Sequence, residues 1–99
     1  MQTIAFMEFK KSLHEGIKPA GLTKQAEALW LSGHSDWEDA HDIVQDLKDA
    51  FSFQIHAFLH RKEGDFSNAA YWYAKAGVPF PSVTLEKEWE GLVRTVPDT

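Results

Sequence analysis

The chain has 99 residues, of which 43% are hydrophobic, 13% aromatic and 25% charged. That length holds one small domain (1–99) with a single core, and the composition excludes a disordered or fibrous chain. Ten basic residues against 15 acidic ones leave a formal net charge of −5, which disfavours nucleic acid and acidic membrane surfaces as partners. With no cysteine there is no disulfide and no thiolate metal site, a usage that fits a cytoplasmic location.

The opening stretch MQTIAFMEF is interrupted by Glu8 and followed, not preceded, by Lys10 and Lys11, so no signal peptide is expected. No run of about 18 apolar residues occurs that could span a bilayer. Apolar residues recur at intervals of three and four in every long segment, which predicts an all-α fold of about six helices.

A first helix is expected over 4–14, with Phe6, Phe9 and Leu13 on one face and a loop from Gly16 through Pro19 to Gly21. Thr23 can cap a second helix carrying Ala26, Leu29 and Trp30 and stopping near Gly33. Ser35 stands three residues before Glu38, the spacing of a capping box, and predicts a third helix over 36–47 with Trp37, Ala40, Val44 and Leu47 inward. Asp49 can cap a fourth helix through Phe51, Ile55, Phe58 and Leu59 to about Lys62, ended by Gly64. Asp65 can cap a fifth to Ala76, where Gly77 fits the left-handed closing position and Pro79 and Pro81 bar continuation. Leu85, Trp89, Leu92, Val93 and Val96 then define a last helix over 84–95, capped by Ser82 or Thr84, ended by Pro97 and followed by a loose tail.

Two stretches match at a constant offset of 29 residues: Ala28, Leu29, Asp36, Trp37 and Ala40 against Ala57, Phe58, Asp65, Phe66 and Ala69. Such a period signals repeated helical hairpins, here about 23–48 and 50–77. In each the Asp caps the second helix, the following aromatic packs over the hairpin, and the Ala lets the helices approach.

The run EGDFSNAAYWYAKAG, with Gly64, Asp65, Phe66, Ala69, Tyr73 and Ala76, resembles the second half of a tetratricopeptide repeat. It departs from that family in its shorter period and in offering two units, so the first and last helices are expected to act as caps. ALW at 28–30, DWEDAH at 36–41 and HAFLHRKEGDFSNAAYWYAKAG at 56–77 together resemble a small protein family without an assigned activity. That resemblance implies a fold and transfers no catalytic residue.

The preferred function is binding without catalysis. Helical-hairpin stacks offer grooves to a protein or peptide, and here Gln25, Leu29, Gln54, Phe58 and Arg61 would line one; a second copy covering the open ends would give a homodimer. The competing reading, possibly enzymatic, is a small-molecule or metal site. His56 and His60 lie four apart on one helix face, with His41, Gln45 and Glu63 near enough to complete a cluster that could hold a divalent metal. Ala57, Phe58 and Leu59 stand between the two histidines, so the general-base Glu of an HExxH metalloprotease is missing. The favoured account makes the histidines a polar core network, because the tetratricopeptide alignment puts His56 and His60 where helices pack. Gln45, Glu63, Asn68 and Tyr71 would then be their hydrogen-bond partners. No cofactor is expected from any phosphate loop, nucleophile elbow or calcium loop.

Tyr71, Trp72 and Tyr73 point to three sides of one helix and are read mainly as filling a thin core. Arg61 and Lys62 beside Glu63 read as a solvated helix end, with carboxylate binding by Arg61 as the other reading. The acidic residues Asp36, Glu38, Asp39, Asp42, Asp46 and Asp49 read as a solvated face.

Overall fold

The computed structural model describes residues 3–97, and the tail after Pro97 lies outside the described residues. Six helices follow one another: α1 (Thr3–Glu15), α2 (Lys24–Gly33), α3 (Trp37–Val44), α4 (Ala50–Lys62), α5 (Phe66–Ala76) and α6 (Leu85–Thr95). Among the described residues no strand forms, and no helix is long and apolar enough to cross a membrane. Helices this short are marginal alone in water and hold their shape by packing.

The termini follow local chemistry. Thr23 Oγ1 accepts from Ala26 N at 3.2 Å, Asp49 Oδ2 from Ser52 N at 3.1 Å, and Thr84 Oγ1 from Lys87 N at 3.1 Å. Asp65 Oδ1 accepts from Asn68 N at 3.4 Å. Hydrogen bonds from Ser52 and Gln25 outweigh the effect of burial on Asp49 and hold its carboxyl below the usual carboxylate value.

The two repeated turns superimpose bond for bond. In the first, Ser35 N donates to Ser32 O and Asp36 N to Leu31 O; in the second, Gly64 N donates to Arg61 O and Asp65 N to His60 O. Both are Schellman closures with a left-handed residue at the same offset, φ 64° at Ser35 and 87° at Gly64. Ala28, Ala40, Ala57 and Ala69 are all fully buried, so the small side chains do sit where helices approach.

Ser35 therefore closes α2, and the capping box expected there does not form. Asp36 takes the N-cap position of α3 without a side-chain cap, and α3 ends at Val44 instead of near 47, where Leu47 N turns back to Val44 O. Phe66, expected over its hairpin, is 60% exposed; its ring meets Phe80 edge-on at 6.4 Å. Of the three consecutive aromatics Tyr73 is buried, Trp72 half-buried and Tyr71 exposed, so they do not all fill the core.

Residues 55–60 of α4 are buried without a break, because α2, α3, α5 and α6 all pack on this helix. The main core joins Phe6 and Phe9 of α1, Leu29 and Trp30 of α2, Ile55, Phe58 and Leu59 of α4, and Leu92 and Val93 of α6. A polar clamp ties α6 down. Glu88 Oε1 accepts from Arg61 Nη1 at 2.7 Å, and Glu88 Oε2 accepts from Tyr73 Oη at 2.5 Å, while Arg61 Nη2 also donates to Val83 O. Burial and the Glu88 carboxylate push the Tyr73 hydroxyl well above the ordinary tyrosine value, so it remains a donor.

This arrangement corrects two expectations. Arg61 is not a solvated helix end, since it binds a carboxylate from α6. The groove proposed between the second and fourth helices is not open: Leu29 is 0% exposed and Phe58 2%, Gln25 is tied to Asp49 and Ser52, and Arg61 is held by Glu88. Gln54 stays half-buried beside them. Phe58→Ala is accordingly expected to cost about 3 to 5 kcal/mol in denaturant unfolding, the range for emptying a buried aromatic site. A change below about 1 kcal/mol would mean that Phe58 faces solvent.

Candidate functional site

The histidines on the inner side of α3 and α4 meet. His56 and His60 are four apart and share one face of α4, and His41 projects to them from α3. Ring centroids lie 4.7 Å apart for His41 and His56, 4.9 Å for His56 and His60, and 5.2 Å for His41 and His60. Each of the three offers one ring nitrogen such that all these atoms fall within 4.8 Å of one another. His56 and His60 are buried, and His41 is half-buried.

Two tryptophans hold the rings. Trp37, one turn before His41, stacks on it at 4.8 Å and 9° and meets His60 edge-on at 5.8 Å. Trp37 Nε1 donates to Leu59 O at 2.7 Å, which fixes the indole between the helices. On the far side Trp72 of α5 stacks on His56 at 4.0 Å and 15°. Lys75 lies over the Trp72 and Phe53 rings at 4.8 and 4.9 Å.

The hydrogen bonds are unequal. His60 Nδ1 lies 2.6 Å from Glu63 Oε2; a carboxylate can only accept, so Nδ1 carries the proton of this bond. His41 Nε2 and His56 Nε2 lie 3.0 Å apart, so one ring donates and the other accepts. His56 Nδ1 is buried and has no partner, so the three imidazoles do not form a closed network. An unpaired buried polar atom costs about 1 to 3 kcal/mol.

Electrostatics keep two of the rings neutral. Burial, reinforced by repulsion from His60, lowers the pKa of His41. Burial first, then repulsion from His41, His60 and Lys75, pushes His56 down to about 4. Neutral imidazole is the form that can ligate a metal.

The structure thus brings His41, His56, His60 and Glu63 together. It leaves out Gln45, which is exposed at the end of α3, and the other expected hydrogen-bond partners: Asn68 binds Asp65, and Tyr71 is exposed. A second possible donor set, His60, Glu63 and Asp65, shares His60 and lies toward the surface. Asp65 was legible in the sequence only as a helix cap. Trp37 could have been found as a wall, since it precedes His41 by one helical turn; Trp72 reaches the site through tertiary packing alone.

No family model, curated protein or solved structure matches this chain.

The depressed pKa of His56 makes stability pH-dependent in a defined direction. Above about pH 6.5 the ring is neutral in both folded and unfolded chains, and its contribution is complete. As pH falls, the unfolded chain binds the proton first, so stability is lost progressively from about pH 6.5 down to about 4. The loss is of order 3 kcal/mol. Denaturant unfolding over this pH range should show His56→Phe, which keeps a ring against Trp72, with a flatter profile than the native chain. An unchanged slope would show that this ring is not held neutral by the fold.

Proposed function

We propose that this domain binds one transition-metal ion of the zinc class between α3 and α4, with His41, His56 and His60 as its protein ligands. The observation that carries this reading is the convergence of three imidazole nitrogens within 4.8 Å, with the Glu63 carboxylate bound to one of the three rings. Ligands at about 2.0 to 2.1 Å around a tetrahedral ion lie about 3.3 Å from one another. The 3.0 Å between His41 Nε2 and His56 Nε2 is therefore within a few tenths of an ångström of a ligand pair, and His60, whose ligand atom lies within 4.8 Å of theirs, completes the set by moving inward.

The donor chemistry selects the class of ion. Three imidazoles without a thiolate or a ring of oxygens suit zinc and its neighbours better than calcium or magnesium. Glu63 stands where metal-bound histidines usually place a second carboxylate, holding His60 in the required tautomer. A zinc-class ion with three protein ligands keeps one position for water and lowers that water's pKa to about 7. Two surface clefts, one of them lined by Glu63, are not lined by His41, His56 or His60, and the reading assigns binding and no reaction.

A second reading, a tetratricopeptide-like module that meets a protein partner or its own copy, now rests on other residues than the closed groove. Phe66 and Phe80, whose rings meet at 6.4 Å, remain 60 and 43% exposed, a surface that association would cover. A mass that rises with concentration in light scattering, and that Phe66→Ser abolishes, supports it.

Titration of metal-free protein with Co²⁺ tests the metal reading. One equivalent is expected to produce the visible bands of tetrahedral cobalt, displaced by Zn²⁺, and His60→Ala should abolish them. Because His60 is buried, Glu63→Gln serves as the control: the half-exposed position should tolerate it while metal affinity falls about 10- to 100-fold. A folded native chain that gives no saturable band, or variants that titrate like it, would remove this function.

A further inference from the structure

Phe58 and Lys62 are four apart on α4 and face away from His56 and His60. On that side a cleft of about 550 Å³ opens between α1, the end of α2, α4 and the start of α6. Leu13, Leu85 and Trp89 give it apolar walls, and the buried Phe58 meets it with only 2% of its surface exposed. Trp89 is fixed by its Nε1, which donates to Leu29 O at 2.9 Å. At the base is Gly33, where a methyl group would lie 2.9 Å from both Leu13 Cδ1 and Trp89 Cζ2; the walls close directly over bare backbone.

Lys10 and Lys62 border this cleft together with His14 and Glu86. Lys10 is engaged by Glu90 at 3.1 Å. Lys62 is not paired: its ammonium donates to Ser32 O at 2.8 Å, and among the described residues no carboxylate forms an ion pair with it. Partial desolvation lowers its pKa below the ordinary lysine value, which is the condition an incoming anion would relieve. Small-molecule pockets commonly combine a mainly apolar lining with a few placed polar groups in roughly 300 to 1,000 Å³.

We propose that this cleft binds an amphipathic monocarboxylate, its carboxylate on the Lys62 ammonium and its aliphatic body against Leu13, Leu85 and Trp89. One unpaired cation calls for one negative charge, and Leu13, Leu85 and Trp89 offer apolar contact to the body that carries it. A chain of about ten carbons suits the volume. The site shares no ligand residue with the histidine cluster and stands independently of any metal there.

Decanoate, 1-decanol and decyltrimethylammonium, each titrated below its aggregation limit into ¹⁵N-labelled protein, distinguish this ligand class from general uptake of amphiphiles. Decanoate is expected to give saturable shifts confined to α1, the end of α2, α4 and the start of α6. Lys62→Met, which keeps the aliphatic stem, should weaken decanoate at least about tenfold and leave decanol unchanged. Leu85→Trp, at a partly exposed rim position, should block both ligands without loss of fold. The proposal is overturned if decyltrimethylammonium binds as well as decanoate, if Lys62→Met leaves decanoate affinity unchanged, or if the shifts gather at Phe66 and Phe80 instead.

Discussion

Everything in this structure depends on the burial of α4 between residues 55 and 60. A helix buried on all sides is ordinarily apolar all round, and this one carries two imidazoles. A ring nitrogen taken from water is costly to leave unpaired, and the chain supplies His41 from α3 to His56 and Glu63 from the end of the same helix to His60, while His56 Nδ1 stays without a partner. The indoles of Trp37 and Trp72 fill the space that remains and exclude water from the rings. Burial and mutual repulsion then keep His41 and His56 neutral, leaving lone pairs near one another in a place of low polarity. Core packing and the convergence of the three rings thus arise from the same constraint.

The opposite side of α4 is governed by α6. Arg61 and Tyr73 come from α4 and α5, and both bind Glu88, so one buried carboxylate joins the second hairpin to the last helix. Removing one partner of such a buried pair leaves an uncompensated charge and typically costs about 3 to 5 kcal/mol. With α6 clamped there, Leu92 and Val93 complete the core, and Trp89 reaches Leu29 O across its edge. The groove between α2 and α4 is filled, while the first turns of α6 stand off far enough to leave the cleft beside Lys62. The clamp therefore decides which apolar surface is core and which is accessible.

Local signals in the sequence located the six helices well, because caps and stops act within a few residues. Thr23, Asp49, Asp65 and Thr84 cap as their side chains dictate, and Gly77 takes the left-handed closing position. Ser35 misled for a physical reason: the same side chain can begin one helix or end another, and here the Schellman bonds at the end of α2 prevail. The convergence of His41, His56, His60 and Glu63 was legible from helical spacing and the adjacent hairpins. The exclusion of Gln45, the closing of the groove over Leu29 and Phe58, and the capture of Arg61 by Glu88 were not legible. They depend on where α6 docks and how early α3 ends, which are properties of tertiary packing.

The same three histidines could serve a domain as polar core or as ligands, and His56 Nδ1 is without a partner in both cases when His56 engages through Nε2. Glu63 on His60 Nδ1 adds the outer carboxylate that a metal-bound imidazole uses. The most direct test is an anomalous difference map at the zinc edge from crystals grown with one equivalent of Zn²⁺. The account predicts one peak about 2.0 to 2.1 Å from a ring nitrogen of each of His41, His56 and His60. A map without a peak there, or with zinc on other side chains while His41 and His56 keep their hydrogen bond, contradicts it.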